Sequence, residues 1–502
     1  MIWVLGLVAA FGTVGSVSRW LRVAQREHYL PGVSRFAWLW WSIDVRNRFL
    51  GAIGIASVIA AAFEPVLGAG AAAVAAAGPL GLGIRGRTSA LKWTGRLQRL
   101  AFVTGFIVAG VIGAGISAGL APLVALVPLA VPLVVDLAMI LVAAYERRQG
   151  DRWVEQATAS LQRVAPTIVA ITGSYGKTST KNLVAHLVGG NRAVVASPAS
   201  FNNRMGLARA VNEHLATGTE VFVAEMGTYG PGEIRSLCSW VRPDVAVITA
   251  LGPVHLERMG SLEAIAAAKR EIIENAPLAV IAVDHPLLAA IADEESGNRR
   301  IIRTSSSGRE ADVVATADGS VVVAGETIAT FDPTQAQPGN VAAAVGVAIA
   351  LDVDPRLLVP RLSDLPAVPH RREIGRSERG FVFIDDTFNA NPAGAKAALS
   401  LLSSQGVPSG KRVVVTPGMV ELGREQYEAN RVFAADAGAT GVTHLLIVNR
   451  TNRAALAKGA EEGGIGTVIL FDTRDEAVQW VRETLVDGDA VLYENDLPDH
   501  YP

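Results

Sequence analysis

Gly173-Ser-Tyr-Gly-Lys-Thr178 is the segment whose residue types bear most directly on chemistry. It follows a short β-branched run, Thr167–Thr172, and precedes a helical pattern over 179–188. Strand, glycine turn and helix together form the setting of a phosphate-binding loop. Glycines let backbone N–H groups approach phosphate oxygens, and the helix N-terminus favours the anion. Lys177 then reaches the β- and γ-phosphates of ATP, the Thr178 hydroxyl binds Mg²⁺, and Gly173, Ser174, Tyr175, Gly176 and Ser179 complete the turn. The general pattern carries a glycine where this chain has Ile171.

Other reactive side chains are less specific alone. Glu225 ends an apolar strand-like run over 221–224, where a carboxylate can hold Mg²⁺. A solitary His255 reads as a surface or capping residue, and Lys269 as a solvated helix lysine. Asp385-Asp386 followed by Asn389-Ala-Asn391-Pro392 reads as strand-end turn chemistry. The one cysteine, Cys238, excludes an internal disulfide and a cysteine metal cluster.

These groups need a scaffold. The chain has 502 residues, enough for about three units. Half of them are hydrophobic, and mean hydropathy is +0.32, which excludes a largely disordered chain. Beyond 149, strand-like runs at 193–197, 220–224, 244–249 and 278–283 alternate with helical stretches, predicting a mostly parallel sheet covered by helices. Segments within 300–331 read as small antiparallel hairpins, a helix follows over 340–351, and 352–356 reads as a hinge. A second strand–helix rhythm, at 381–384, 412–415, 444–448, 467–471 and 490–493, predicts another α/β unit. The expected division is 1–148 for a helical membrane part, 149–354 for the central ATP-binding unit and 355–502 for the C-terminal Rossmann-like unit.

The net charge of −2 hides a split. Residues 1–145 hold eleven Lys/Arg against four acids (Glu27, Asp44, Glu64, Asp136), whereas the remainder is acidic. Apolar runs occupy 2–18, 49–63, 66–82, 101–118 and 120–145. A span needs about 20 apolar residues, so the runs either side of Glu64-Pro65 are two thin spans or a re-entrant hairpin. Basic loops stay on the cytoplasmic side. The arginines of 19–48, the cations of 83–99 and Arg147-Arg148 then place the N-terminus outside and everything after 148 in the cytoplasm, with about five spans in the plasma membrane. The first run has no basic stretch before it, unlike a secretory leader. A buried soluble bundle is the alternative. Asp136, inside the last run, is expected to snorkel or to pair within the bundle.

Thr172-Gly-Ser-Tyr-Gly-Lys-Thr-Ser-Thr180 resembles the ATP loop of the Mur ligase family, which joins amino acids or dipeptides to cell-wall precursors. Further motifs stand in that family's order. They are Asn202-Asn203-Arg-Met-Gly206, Ala224-Glu225-Met-Gly227 with Pro231-Gly-Glu-Ile234, and Val254-His255-Leu-Glu257 with Ala268-Lys269-Arg-Glu271. His370-Arg371-Arg-Glu373 and the Asp385–Pro392 segment follow. The last, with Val420-Glu-Leu-Gly423, resembles the D-alanyl-D-alanine-adding branch. The resemblance covers about residues 165–500.

It implies an acyl-phosphate route to an amide bond, with ATP, two Mg²⁺ ions, and Lys177, His255 and Lys269 at the catalytic centre. Thr178, Glu225, His255 and Lys269 are the implied metal ligands, Lys269 as a carbamate formed with CO₂. Asn340, Arg371 and Asp386 are implied to serve the nucleotide, and Asn202, Asn203, Asn389 and Asn391 the substrate. Two departures bear on that substrate. Membrane helices replace the family's UDP-binding N-terminal unit, so the peptidoglycan-precursor-like acceptor can be lipid-linked. Tyr493-Glu-Asn-Asp496 stands where adding enzymes have Lys-Gly-Ser, so the amine can differ from D-alanyl-D-alanine. An amidating ligase fed by a glutaminase needs four zinc cysteines that this chain lacks. A transport ATPase needs a polar path, and a non-catalytic sensor would not retain Lys177, Glu225, His255 and Lys269. No feature points to nucleic acid.

Overall fold

The computed structural model describes residues 1–84, 91–198, 201–366, 373–387, 391–497 and 501. The N-terminal part is helical: α1 (Ile2–Arg26), α2 (Val33–Ile43), α3 (Val45–Ala60), α4 (Ala69–Ala77), α5 (Gly95–Ser117) and α6 (Ala121–Val164). Three of these, α1, α5 and α6, are long and apolar enough to cross a membrane. They present an outward apolar face; Phe11, Phe102 and Phe106 are 79, 75 and 74 % exposed. The two middle runs differ from full spans. At 1.5 Å per residue, α3 reaches about 24 Å and α4 about 14 Å, short of a hydrocarbon core of about 30 Å. The chain breaks between them at Glu64-Pro65, where a 3₁₀ turn over Pro65–Gly68 intervenes.

Asp136 pairs within the bundle. Its carboxylate accepts hydrogen bonds from the backbone N–H groups of Gly32, Val33 and Ser34 at 2.9, 2.9 and 3.0 Å, and from the Ser34 hydroxyl at 2.6 Å. These donors head α2, so the acid satisfies a helix N-terminus that would otherwise leave amides unpaired.

Helix α6 continues through 148 and 149 without a break. Its 44 residues extend about 66 Å. Pro128 and Pro132 lie inside the apolar half, while Val154, Ala157 and Leu161 of the polar half enter a core with Leu207, Val211 and Phe222. One rod therefore links the apolar layer to the first sheet.

That sheet has nine strands: β1 (Thr167–Thr172), β2 (Val194–Ala196), β3 (Val221–Glu225), β4 (Val245–Ile248), β5 (Leu278–Ala282), β6 (Arg300–Ser305), β7 (Val313–Ala315), β8 (Ser320–Val323) and β9 (Glu326–Thr330), in the order β2-β3-β1-β4-β5-β6-β7-β8-β9. Strands β2 to β7 pair parallel, and only β8 and β9 are antiparallel. The hairpin reading of 300–331 therefore holds for its second half only. Strand β6 returns after the helix Pro286–Glu295, and a strand–helix–strand connection makes its strands parallel. The strands' continuous apolar runs bury both faces, as a helix-covered sheet requires.

The second sheet contains β10 (Glu373–Arg376), β11 (Val382–Asp386), β12 (Arg412–Thr416), β13 (His444–Val448), β14 (Thr467–Phe471) and β15 (Ala490–Glu494), ordered β10-β11-β15-β12-β13-β14. Only β10 is antiparallel. The fold is thus α/β with two mainly parallel sheets beneath an apolar helical bundle. The parts are tied together by ions: Arg258 to Glu27 at 2.6 Å, Arg35 to Glu257 at 2.5 Å, and Arg450 to Asp44. Tyr501 packs edge-on against Phe36 of α2.

Candidate active site

The carboxyl end of β1 turns directly into the glycine loop, and the helix Lys177–Val188 starts at its far side. Gly176 caps that helix with φ +79°, and an added Cβ would stand 2.1 Å from Asn340 Oδ1. Only glycine satisfies both conditions. The Ser174 hydroxyl donates to the Gly252 carbonyl at 3.0 Å and accepts from the Gly252 N–H at 3.0 Å, fixing the loop to the segment after β4. Thr249 Oγ1 donates to the Tyr175 carbonyl at 2.5 Å. Burial pushes the Tyr175 phenol above its usual range.

Lys177 curls over the loop, its Nζ donating to the Gly173 carbonyl at 2.8 Å. Thr178 Oγ1 donates to Glu225 Oε2 at 2.9 Å, joining the helix start to the carboxyl end of β3. Glu225 is buried and also accepts from Asn202 Nδ2 and Lys181 Nζ, each at 3.3 Å. Lys269 is buried on the helix Leu262–Arg270. Burial, and then the charge of Lys177, push its amine well below the ordinary lysine value. Lys269 makes no ion pair among the described residues. The sheet therefore gathers Thr178, Asn202 and Glu225 beside the Lys177 loop, and Lys269 lies close enough to feel the Lys177 charge.

His255 stands at the rim, in a left-handed conformation with φ +57°. Its Nδ1 hydrogen-bonds Glu421 Oε2 from the second sheet's loops, and its ring lies 4.7 Å from that of Tyr229. Burial opposes ionisation of Glu421, yet the His255 hydrogen bond and charge hold its carboxyl below the usual range. Asn203 and Asn391 act as helix caps, accepting from the N–H groups of Gly206 at 2.9 Å and Gly394 at 2.8 Å. Asn340 is buried and accepts from the Thr180 hydroxyl at 3.4 Å. A cavity of about 400 Å³ between the two sheets is lined by Tyr175, Gly176, Ser179, Asn340, Asp386 and Asn391, within the usual range for small-molecule sites. Arg371 and Asn389 lie outside the described residues.

The donors fit Mg²⁺. A hydroxyl and a carboxylate oxygen 2.9 Å apart stand at the loop's phosphate end, and Mg²⁺ commonly takes one or two protein oxygens beside substrate phosphates. No group of three or more His, Cys, Asp or Glu side chains converges among the described residues.

Sequence reasoning missed Lys181 and Glu494. Lys181 lies one turn beyond Lys177, a spacing that puts both on neighbouring positions of one helix. Glu494, at the end of β15, pairs in register with Asp386 and is buried. Burial, and then the Asp386 charge, push its carboxyl well above the usual range. A raised acid contributes stability below its unfolded value, and that contribution is lost as pH rises toward the folded value. Wild-type stability should therefore fall by up to about 1.4 kcal/mol per pH unit from about pH 5 upward on this group's account. Glu494→Gln should flatten that slope, as measured by denaturant unfolding at a series of pH values. An unchanged slope would remove Glu494 as its source.

Comparison with known proteins agrees with this arrangement. A family model described as the Mur ligase middle domain matches residues 171–346, and one described as the Mur ligase, glutamate ligase domain matches 370–493. The UDP-N-acetylmuramoyl-tripeptide–D-alanyl-D-alanine ligase of Bacillus subtilis is 30 % identical over 346 residues, covering 67 % of this chain and 74 % of the relative. The crystal structure of MurF ligase from Thermotoga maritima in complex with ADP is 26 % identical, with a TM-score of 0.55 over 69 % of this chain and 80 % of that one. MurF from Acinetobacter baumannii shares the fold at 23 % identity, with a TM-score of 0.58 over 68 % and 77 %. With its glycine loop, strand-end glutamate and paired sheets, this chain belongs to the Mur ligase family of ATP-dependent ligases and resembles the D-alanyl-D-alanine-adding branch.

Proposed function

We propose that the protein is a membrane-anchored amide ligase of cell-wall precursor assembly, coupling an acceptor carboxylate to an amino acid or a dipeptide such as D-alanyl-D-alanine. The observation that carries this reading is the convergence of Lys177, Thr178 and Glu225 at one loop. An acceptor carboxylate oxygen attacks the γ-phosphorus of ATP, the bond to the ADP oxygen breaks, and an acyl phosphate forms. The amine nitrogen then attacks the acyl carbon, loses a proton, and inorganic phosphate leaves.

Backbone amides of 173–178 bind the phosphates, and Lys177 swings from its loop carbonyls onto the β- and γ-oxygens. Thr178 and Glu225 would hold Mg²⁺, which would neutralise the charge that builds on the transferring phosphoryl group. His255 and a carbamylated Lys269 would hold a second ion. Asp386, Asn340 and Arg371 serve the base, ribose and product side; Asn202, Asn203, Asn389 and Asn391 serve the acceptor. The His255–Glu421 contact closes the second sheet over the loop and excludes water from the acyl phosphate.

The division into 1–148, 149–354 and 355–502 serves this chemistry as anchor, nucleotide unit and closing unit. The apolar outward face of α1, α5 and α6 supports an anchor in the plasma membrane. Helices α3 and α4 enter and return on one side, so the basic loops 19–48 and 83–99 stay cytoplasmic whether or not that hairpin reaches the far leaflet. The test uses the full chain in lipid with ATP, Mg²⁺ and candidate peptidoglycan precursors. Phosphate release should require the amine, and a coupled product should appear by mass. Equal release without any amine would overturn the reading in favour of a motor.

A further inference from the structure

The turn that follows His255 cannot hold its own shape. It is a helix of four residues, Leu256–Met259, with Leu256 its one buried side chain among the described residues. A first helical turn fixes several dihedral angles for one hydrogen bond, which is unfavourable in isolation. The contacts that fix this one come from two other parts of the molecule. On the second sheet's side, the Glu421 carbonyl accepts from the Glu257 N–H at 3.4 Å, beside the His255–Glu421 side-chain bond. Gly423 packs so close that an added Cβ would stand 3.3 Å from the Glu257 Cα. On the bundle's side, Glu27 at the end of α1 accepts from Arg258 at 2.6 Å, and Arg35 of α2 pairs with Glu257 at 2.5 Å.

The two bundle contacts differ in weight. The Arg35 and Glu257 side chains are 40 and 39 % exposed, and an ion pair in that setting contributes little. The Glu27 side chain is only 10 % exposed, and removing the partner of a buried charge is costly. Arg258 also lies over the Tyr229 ring, 5.5 Å from its centroid, and that ring packs against His255 at 4.7 Å. Glu27 therefore reaches His255 twice, through the backbone of the turn and through Arg258 and Tyr229. Immediately after Glu27 the chain leaves α1 through His28 and Tyr29, at φ +55° and +61°, a left-handed ending that usually falls to glycine. The His28 ring comes to 6.1 Å from Tyr229.

We propose that Glu27 is a positioning residue of the active site: through Arg258 it sets the turn adjoining His255, so the helical bundle completes the site as well as anchoring it. The role of His255 rests on the ligase reading above; the coupling of Glu27 to the turn is testable without catalysis. The nucleotide loop is fixed separately, through Ser174 and Gly252. Loss of Glu27 should therefore slow turnover and leave nucleotide binding alone.

In the full chain in lipid, Glu27→Gln should lower kcat for amine-dependent phosphate release about tenfold, the order expected of a sub-ångström misplacement. The Kd for ATP should not change. In ATP-free protein, backbone amide exchange should quicken across 256–260, where the N–H groups of Arg258, Met259 and Gly260 bond within the turn. Arg258→Gln should do the same, and the double variant should lose about as much as either single one, since all three remove one contact. Asp44→Asn takes the charge from a different bundle contact, that with Arg450, and keeps an N-cap for α3; it should leave kcat and exchange as they are. Wild-type turnover or wild-type exchange in Glu27→Gln overturns the proposal. So do additive losses in the double variant, an equal loss in Asp44→Asn, or a loss that tracks weakened ATP binding. The expected exchange pattern in a wild type without amine-dependent release overturns the ligase reading alone.

Discussion

Lys177→Ala is expected to reduce amine-dependent phosphate release by about three orders of magnitude, the scale of losing one preorganised charge on a transferring group. The argument is positional. Lys177 stands at the loop's own carbonyls, donating to Gly173 and, at 3.4 Å, to Ser174, so its head already lies where a phosphate bound by the loop would be met. Lys181 cannot replace it, being buried in an ion pair with Glu225. Burial lowers the Lys181 amine despite the pull of Glu225. Lys177→Arg should restore little, because the planar fork does not fit a site shaped for a compact ammonium. Steady-state phosphate release with and without amine gives the comparison, with nucleotide affinity measured separately. Wild-type coupling in Lys177→Ala would mean that the loop does not handle the phosphates of the reacting nucleotide.

The residues legible in the sequence are those whose role is local. The loop could be read because strand, turn and helix are consecutive, and Glu225 because it ends a short apolar strand-like run within a motif. Lys181 could not, since a lysine in a helix reads as solvated until tertiary packing buries it against Glu225. The His255–Glu421 bond joins residues 166 apart, a distance over which no periodicity speaks. Asn203 and Asn391 carry a second reason for their identity, as helix caps, that a motif cannot separate from substrate contact. Helix α6 was masked by its change of character at Arg147, where apolar residues give way to charged ones. That change marks the end of an apolar layer, while the backbone hydrogen bonds run on to Val164.

Lys269 carries the other large expected effect. An amine reacts with CO₂ only when unprotonated, and burial together with the neighbouring Lys177 charge keeps this one well below the ordinary lysine value. Its nitrogen attacks the CO₂ carbon and releases a proton, so a buried neutral amine becomes an anion that feels the charge of Lys177. The same group that is costly as an ammonium is then compensated as a carbamate. Lys269→Ala should therefore lower turnover by about two to three orders of magnitude, and short carboxylates such as formate or acetate should recover part of it by occupying the vacated anion position. Wild-type protein in CO₂-depleted buffer should lose activity and regain it with bicarbonate, while the alanine variant ignores both treatments. Carbon-13 bicarbonate should label one lysine carbamate in the wild type and none in the variant. A wild type indifferent to CO₂, with no labelled carbamate, would leave Lys269 as a buried packing lysine and return the second cation to ligands from elsewhere in the site.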